Sequence, residues 1–165
     1  MQEVYLLLGS NIGDREQFLH QATLLLTQEI GAITKKSSLY ETAPWGLEEQ
    51  PEYLNQVLVL VTKLQAREVL KAALDIEKIL GRERIERWGS RVIDIDILFY
   101  SDEVIDEADL KVPHPYFHLR RFAVEPMLEV QPDFIHPVLK KSIKSLALEL
   151  SDQLYVQKIN FNNNG

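Results

Sequence analysis

An α/β or α+β sandwich is the fold class this sequence predicts, and three observations carry the prediction. Apolar strand runs are separated by two segments of helical three-and-four spacing, and a short hairpin pattern follows the last of those runs. A length of 165 residues, 45 % apolar and 26 % charged, is that of one ordinary globular domain. Gly and Pro number only 7 each and no repeat or linker interrupts the chain, which excludes collagen-like, low-complexity and wholly disordered readings.

Val4 to Leu8 is a continuous apolar run, as in a buried strand, and it closes on Gly9, Ser10, Asn11, Ile12, Gly13 and Asp14. Asp14, or nearby Asn11, caps a helix reaching to about Glu29, with Phe18, Leu19, Ala22, Leu25 and Leu26 as its apolar stripe and Gly31 where a C-terminal glycine cap belongs. Residues 33–42 read as a second strand, and residues 43–52, with two prolines and a glycine, as a long functional loop. Leu54 to Leu64 is β-prone, and its Val57 to Val61 run suits a strand covered on both faces. A second helix spans Ala66 to Leu80 and ends at Gly81. Val92 to Tyr100 alternates as a strand, Ser101 to Glu103 turns, and Val104 to Val112 forms the hairpin. The strands at 54–64 and 92–100 are expected to be central. Pro113, His114 and Pro115 force an extended segment, and Tyr116 to Glu125 turns helical. Lys140 to Leu150 is the last helix, Leu154 to Ile159 an edge strand, and residues 160–165 a frayed tail, all within one domain over 1–165.

Cysteine is absent, which excludes disulfides, thiolate metal sites and a cysteine nucleophile and suits a reducing compartment, here the cytoplasm. The Val4 to Leu8 run is far too short for a membrane span and lacks the basic flank of a signal peptide. Formal net charge is −7, from 18 Lys+Arg against 25 Asp+Glu, which argues against sequence-independent binding of duplex nucleic acid. Any anion must therefore meet a local basic patch. Small-molecule substrates, no nucleic acid, no membrane and a monomeric chain are expected.

The most informative segment runs from Arg91 to Tyr100. Alternation places Ile93, Ile95, Ile97 and Phe99 on one strand face and Asp94 and Asp96 on the other. With Cα atoms roughly 6.6 to 7 Å apart, the two carboxylates can converge on one or two hard cations. Magnesium suits oxygen ligands without cysteine or clustered histidine. Taken alone, an Asp-x-Asp pair reads first as an acidic, solvated strand face. Upstream, Arg82, Arg84, Arg87 and Arg91 fall within ten residues, the first three of them between Gly81 and Gly89. Arginine forks grip phosphate oxygens, so the segment reads as a cationic lid over a metal-bound polyphosphate, or as a salt-bridged loop neutralised by Glu83 and Glu86. Glu77 lies on or near the apolar stripe of the second helix and can accept a ligand hydrogen bond or reach solvent. His114 is held stiffly between prolines, and Arg120 and Arg121 precede Phe122. Tyr53 and Asn55, beside the loop that holds Trp45, offer stacking and an amide for a heteroaromatic edge. No phosphate-loop, nucleophile-elbow, His-Glu-x-x-His or dinucleotide motif occurs.

In chain order, Gly9-Ser10-Asn11, Tyr53-Leu54-Asn55, Gly81-Arg82-x-Arg84, Arg87-Trp88-Gly89-x-Arg91-x-x-Asp94-x-Asp96, Pro113-His114 and Arg120-x-Phe122 resemble the 6-hydroxymethyl-7,8-dihydropterin pyrophosphokinases of folate biosynthesis. The resemblance implies diphosphate transfer from ATP to the pterin hydroxymethyl group with release of AMP. It also implies an α+β, ferredoxin-like sandwich with a largely antiparallel sheet flanked by helices. Asp94 and Asp96 match ligands of two Mg²⁺ ions bridging the ATP phosphates, and with Arg82, Arg84 and Arg91 they match the catalytic set. Glu77, Arg87, Trp88, Ile97, His114 and Arg120 join those arginines at nucleotide-binding positions. Thr42, Pro44, Trp45, Tyr53, Asn55 and Phe122 match the pterin pocket, Phe122 stacking on the ring and Asn55 bonding its edge. Leu74 stands where a glutamine can help bind adenine, Pro115 where a tyrosine can touch phosphate, and the stretch between Arg84 and Trp88 is one residue shorter. Two other classes remain open on the residues alone: a binding module of the RNA-recognition type and a metal-dependent nucleotidyl or glycosyl transferase.

Overall fold

The computed structural model describes residues 1–42, 52–81, 92–152 and 156–159. The loop reading at 43–51, the arginine-rich lid at 82–91 and the tail at 160–165 lie outside them.

Strand β1 (Gln2–Ser10) is buried from residue 4 onward, as its unbroken apolar run requires. Asp14 opens α1 (Arg15–Glu29) by accepting the Gln17 backbone N–H at 3.2 Å. The chain returns as β2 (Gly31–Lys36), β3 (Leu39–Thr42) and β4 (Tyr53–Thr62). Glu68 accepts the Gln65 N–H at 2.8 Å to start α2 (Ala66–Leu80), and β5 (Asp94–Tyr100) follows. The hairpin β6 (Ile105–Glu107) and β7 (Leu110–Val112), then α3 (Arg121–Val130), α4 (Ile143–Leu148) and β8 (Val156–Ile159), complete the order.

The main sheet runs β5-β1-β4-β3-β8, with β2 also on β4, and all its pairings are antiparallel. With β2 and β3 taken as one bent strand, this is the βαββαβ arrangement of ferredoxin-like folds. Each face of the sheet carries a core. Val4, Leu6, Leu8, Leu54, Leu58 and Leu60 meet α1 and α2, whereas Tyr5, Leu7, Val57 and Val59 meet α3 and α4. Burial on both faces is why β1 and β4 read as continuous apolar runs rather than alternating ones.

Several expectations are corrected. Residues 33–42 are not one strand: Ser37 Oγ accepts the Val57 N–H at 2.9 Å, entering the β4 ladder by its side chain, and the chain bends between β2 and β3. Gly31 is not a cap. Helix α1 closes on Ile30 in right-handed conformation, and Gly31 opens β2 where a Cβ would collide with the Val61 carbonyl oxygen. Helix α3 continues through Pro126 to Val130 instead of stopping at Glu125, because burying Val124, Pro126 and Met127 offsets the missing N–H bond. Helix α4 starts at Ile143, not Lys140, since Lys140 has φ +60° and Ser142 supplies the cap.

Among the described residues, strand β5 lies at the sheet edge rather than at the centre, paired only with β1 in the sheet. Its outer side is covered: the Leu98 carbonyl accepts the His114 N–H at 2.9 Å, and Glu77 Oε2 accepts the Ile95 N–H at 2.6 Å. Phe99 does not share a face with Ile93, Ile95 and Ile97. The register skips between Tyr5 and Leu6, leaving Leu98 as an extra residue, so Leu98 and Phe99 both enter the α3 core while Ile97 and Tyr100 stay with α1 and α2.

Candidate active site

The sheet register brings the chemistry together. Asp94 of β5 pairs with Gly9 of β1, Gly9 pairs with Asn55 of β4, and Asn55 pairs with Tyr40 of β3. Paired residues share a face, and this row shares its face with Leu7, Val57 and the α3 core. Asp96, paired with Leu7, lies on the same side. At about 4.8 Å per strand spacing, Asp94 and Asn55 stand about 10 Å apart at the backbone, one glycine between them. Both aspartates are half-buried.

Asn55 is 4 % exposed and donates Nδ2–H to Thr42 Oγ1 at 2.7 Å. That bond leaves Oδ1 as the acceptor of the amide, on the side of Gly9. A Cβ built on Gly9 would come within 2.8 Å of this oxygen and 3.5 Å of the Tyr53 ring. The amide therefore leans over the bare backbone of β1.

A ladder of rings and one guanidinium flanks the row. The His114 and Tyr116 rings lie 6.1 Å apart, and the Arg120 guanidinium carbon stands 5.2 Å from the Tyr116 ring centre and 5.6 Å from that of Phe122. His114 Nδ1 accepts the Tyr116 N–H at 3.1 Å, so the neutral ring carries its proton on Nε2 and has a donor there. Burial, with the Arg120 charge adding to it, pulls the His114 pKa down to about 4. A neutral donor beside a fixed cation suits an anionic ligand.

The structure thus gathers Asp94, Asp96, Thr42, Tyr53, Asn55, His114, Arg120 and Phe122 at one side of the sheet. Glu77 and Ile97 belong to the other. Ile97 is 7 % exposed in the α1 and α2 core, and Glu77 reaches from α2 to the backbone of Ile95, between the two aspartates. Pro44, Trp45, Arg82, Arg84, Arg87, Trp88 and Arg91 lie outside the described residues.

Two supporting contacts went unread in the sequence. Glu129, near the end of α3, accepts both the N–H and Oγ–H of Ser38 at 2.9 Å and the Tyr40 hydroxyl at 2.8 Å, fastening α3 to β3 opposite Asn55. Burial works against it, but these bonds hold its carboxyl below the usual range. Asp152 accepts the Arg121 N–H at 2.8 Å and so caps the turn of α3 that carries Arg120 and Phe122. The partners are separated by 91 and 31 residues, beyond any local signal.

Two carboxylates on one strand face, a cation held over aromatic rings and a buried amide have the chemistry that suits, as a class, an enzyme acting on an anionic substrate beside a flat heterocycle. A family model described as 7,8-dihydro-6-hydroxymethylpterin-pyrophosphokinase (HPPK) matches residues 5–132. The 2-amino-4-hydroxy-6-hydroxymethyldihydropteridine pyrophosphokinase of Aquifex aeolicus is 46 % identical over 149 residues, covering 90 % of this chain and 92 % of the relative. The Bacillus subtilis protein of the same description is 46 % identical over 127 residues, 76 % of each chain. The HPPK-DHPS of Plasmodium falciparum, as a triple mutant with SDX-DHP, shares the fold with a TM-score of 0.74 at 20 % identity, over 90 % of this chain and 44 % of that one. This chain therefore spans under half the length of that structure. The chain belongs to the HPPK family, whose reaction is the pyrophosphokinase step of folate biosynthesis.

Proposed function

We propose that the α3 side of the sheet is where this chain carries out the family reaction. The observation that carries the reading is the register row Asp94, Gly9, Asn55, which sets a carboxylate suited to cations one strand away from an amide suited to a heterocycle edge. Asn55, Thr42, Tyr53 and Phe122 hold the pterin, with Pro44 and Trp45 in the loop wall. His114 and Arg120 receive the triphosphate together with Arg82, Arg84, Arg87, Trp88 and Arg91. Glu77, which anchors the outer side of β5, and Ile97, within that strand, serve the nucleotide side.

Asp94 and Asp96 present hard oxygen donors, and among the described residues no cluster of three or more His, Cys, Asp or Glu side chains converges. Two carboxylates that leave other positions to water and phosphate fit Mg²⁺, and two such ions would neutralise polyphosphate charge and lower the hydroxyl pKa. The chain's own contribution is orientation. Asn55 and Phe122 fix the pterin plane, and His114 and Arg120 hold the phosphate chain. The hydroxymethyl oxygen bonds to the β-phosphorus, the bond from that phosphorus to the α–β bridging oxygen breaks, AMP leaves with the bridging oxygen, and the hydroxyl proton passes to solvent.

We read residues 1–165 as a single pyrophosphokinase domain, monomeric and cytoplasmic. The absence of cysteine supports that compartment, and no described helix is long and apolar enough to cross a membrane. The test is product identity. Incubation with ATP, Mg²⁺ and 6-hydroxymethyl-7,8-dihydropterin should yield AMP and the pterin diphosphate in equal amounts. ADP as the pterin-dependent product, or no turnover by folded protein, would overturn the proposal.

A further inference from the structure

We infer that Gly9 is a specificity-determining residue for the pterin: its missing Cβ keeps the Asn55 amide in the one orientation that presents Oδ1 to the substrate. This rests on the reading of Asn55 as a pterin-binding residue.

A glycine within a strand weakens it and marks a close approach, and Gly9 lies within β1 just after its apolar run. Gly9 has no positive φ, so backbone freedom is not what the position needs. What it needs is space on the α3 side. Its absent Cβ would stand 2.8 Å from Asn55 Oδ1, closer than carbon and oxygen tolerate, whereas the Tyr53 contact at 3.5 Å is ordinary. The obstacle is the end of one side chain and not the neighbouring backbone. Any side chain at position 9 must therefore turn the Asn55 amide, and the bond that turning breaks is the 2.7 Å hydrogen bond from Nδ2 to Thr42 Oγ1.

The orientation matters chemically. With Nδ2 committed to Thr42, Oδ1 accepts, so the amide selects a ligand edge that carries N–H donors. Glycine at position 9 also leaves clear floor between Asn55 and Asp94, its two neighbours in the row. A heterocycle held at Asn55 must reach the cation side across that floor.

The experiment compares Gly9→Ala, Asn55→Ala and the double variant, reading pterin affinity by titration calorimetry with 6-hydroxymethyl-7,8-dihydropterin and nucleotide affinity with a non-hydrolysable ATP analogue. Gly9→Ala should weaken pterin binding by on the order of tenfold, the worth of one hydrogen bond, and leave nucleotide affinity unchanged. In the Asn55→Ala background the same substitution should cost nothing further, a coupling that a merely structural glycine would not show. Wild-type pterin affinity in Gly9→Ala, or losses that add in the double variant, would overturn the inference while leaving Asn55 in the pocket. Undiminished pterin affinity in Asn55→Ala would overturn the Asn55 reading and the inference with it. Should Gly9→Ala fail to fold, circular dichroism of the double variant decides: folding restored by removing the amide supports the inference, and no restoration overturns it.

Discussion

Replacing Glu77 with alanine takes away the carboxylate that accepts the Ile95 N–H at 2.6 Å. Ile95 is 6 % exposed and sits on the edge strand between Asp94 and Asp96, so its amide is left in a place where solvent replaces the bond poorly. A hydrogen bond to a charged group contributes about 1.5 to 3 kcal/mol. For a domain of 165 residues, a loss of about 2 kcal/mol corresponds to a fall of about 4 to 8 °C in Tm. Glu77→Gln keeps an acceptor without the charge and should recover part of that fall. Scanning calorimetry of the unliganded variants measures it, and steady-state kinetics should show a lower kcat, because the strand that positions both aspartates has lost its outer anchor. A Glu77→Ala protein that melts with wild type but binds nucleotide weakly would refute this reasoning and return Glu77 to a purely ligand-binding role.

Asp94→Asn and Asp96→Asn should each lower turnover by on the order of 10²-fold or more at saturating Mg²⁺ while circular dichroism stays native; activity within a few-fold of wild type in both would remove them from the metal site. Phe122→Ala should weaken pterin binding by about 1 to 3 kcal/mol with little change for nucleotide, as calorimetry can read, and the reverse pattern would exchange the two pockets. The third concerns pH. His136 is 4 % exposed, and burial, with His118 nearby, pulls its pKa down from 6.5 to about 4. Its Nδ1 accepts the Val138 and Leu139 N–H groups, so the folded state keeps the ring neutral. Because the unfolded chain takes up the proton first, stability is complete above pH 6.5 and is lost as pH falls toward about 4. The loss from this one group reaches about 3 kcal/mol. Urea unfolding of His136→Gln across that window should show a shallower pH slope than wild type, and identical slopes would exclude the histidine as its source.

How much was legible in the sequence follows from the range of each interaction. The Ala66–Leu80 helix and the cap at Asp14 were readable because helix spacing, caps and stops act within a few residues. The Asp94 and Asp96 pair was readable because alternation puts residues two apart on one face. The same rule failed at Phe99, since a bulge can be seen only against the partner strand. The sequence also could not say that β5 is an edge strand. Aspartate is poor in strands and is hardest to accommodate in a central one, whereas an edge strand tolerates it, so what marks Asp94 is its place in the register row with Gly9 and Asn55.

The residue types, their order and the two long helices were determined by the sequence itself, since side-chain chemistry and short-range periodicity need no knowledge of distant contacts. Tertiary structure alone decided which of those residues meet. Asp94, Gly9 and Asn55 come from three separate stretches of chain and share a row only because β1 pairs between β5 and β4. Glu77 was readable as a carboxylate near an apolar stripe, but its partner is a backbone N–H 18 residues away. Glu129 and Asp152 carried no local signal at all, for the contacts that brace the site are made by pairing and packing across the sheet, and those are set by the burial of two whole faces rather than by any neighbouring residue.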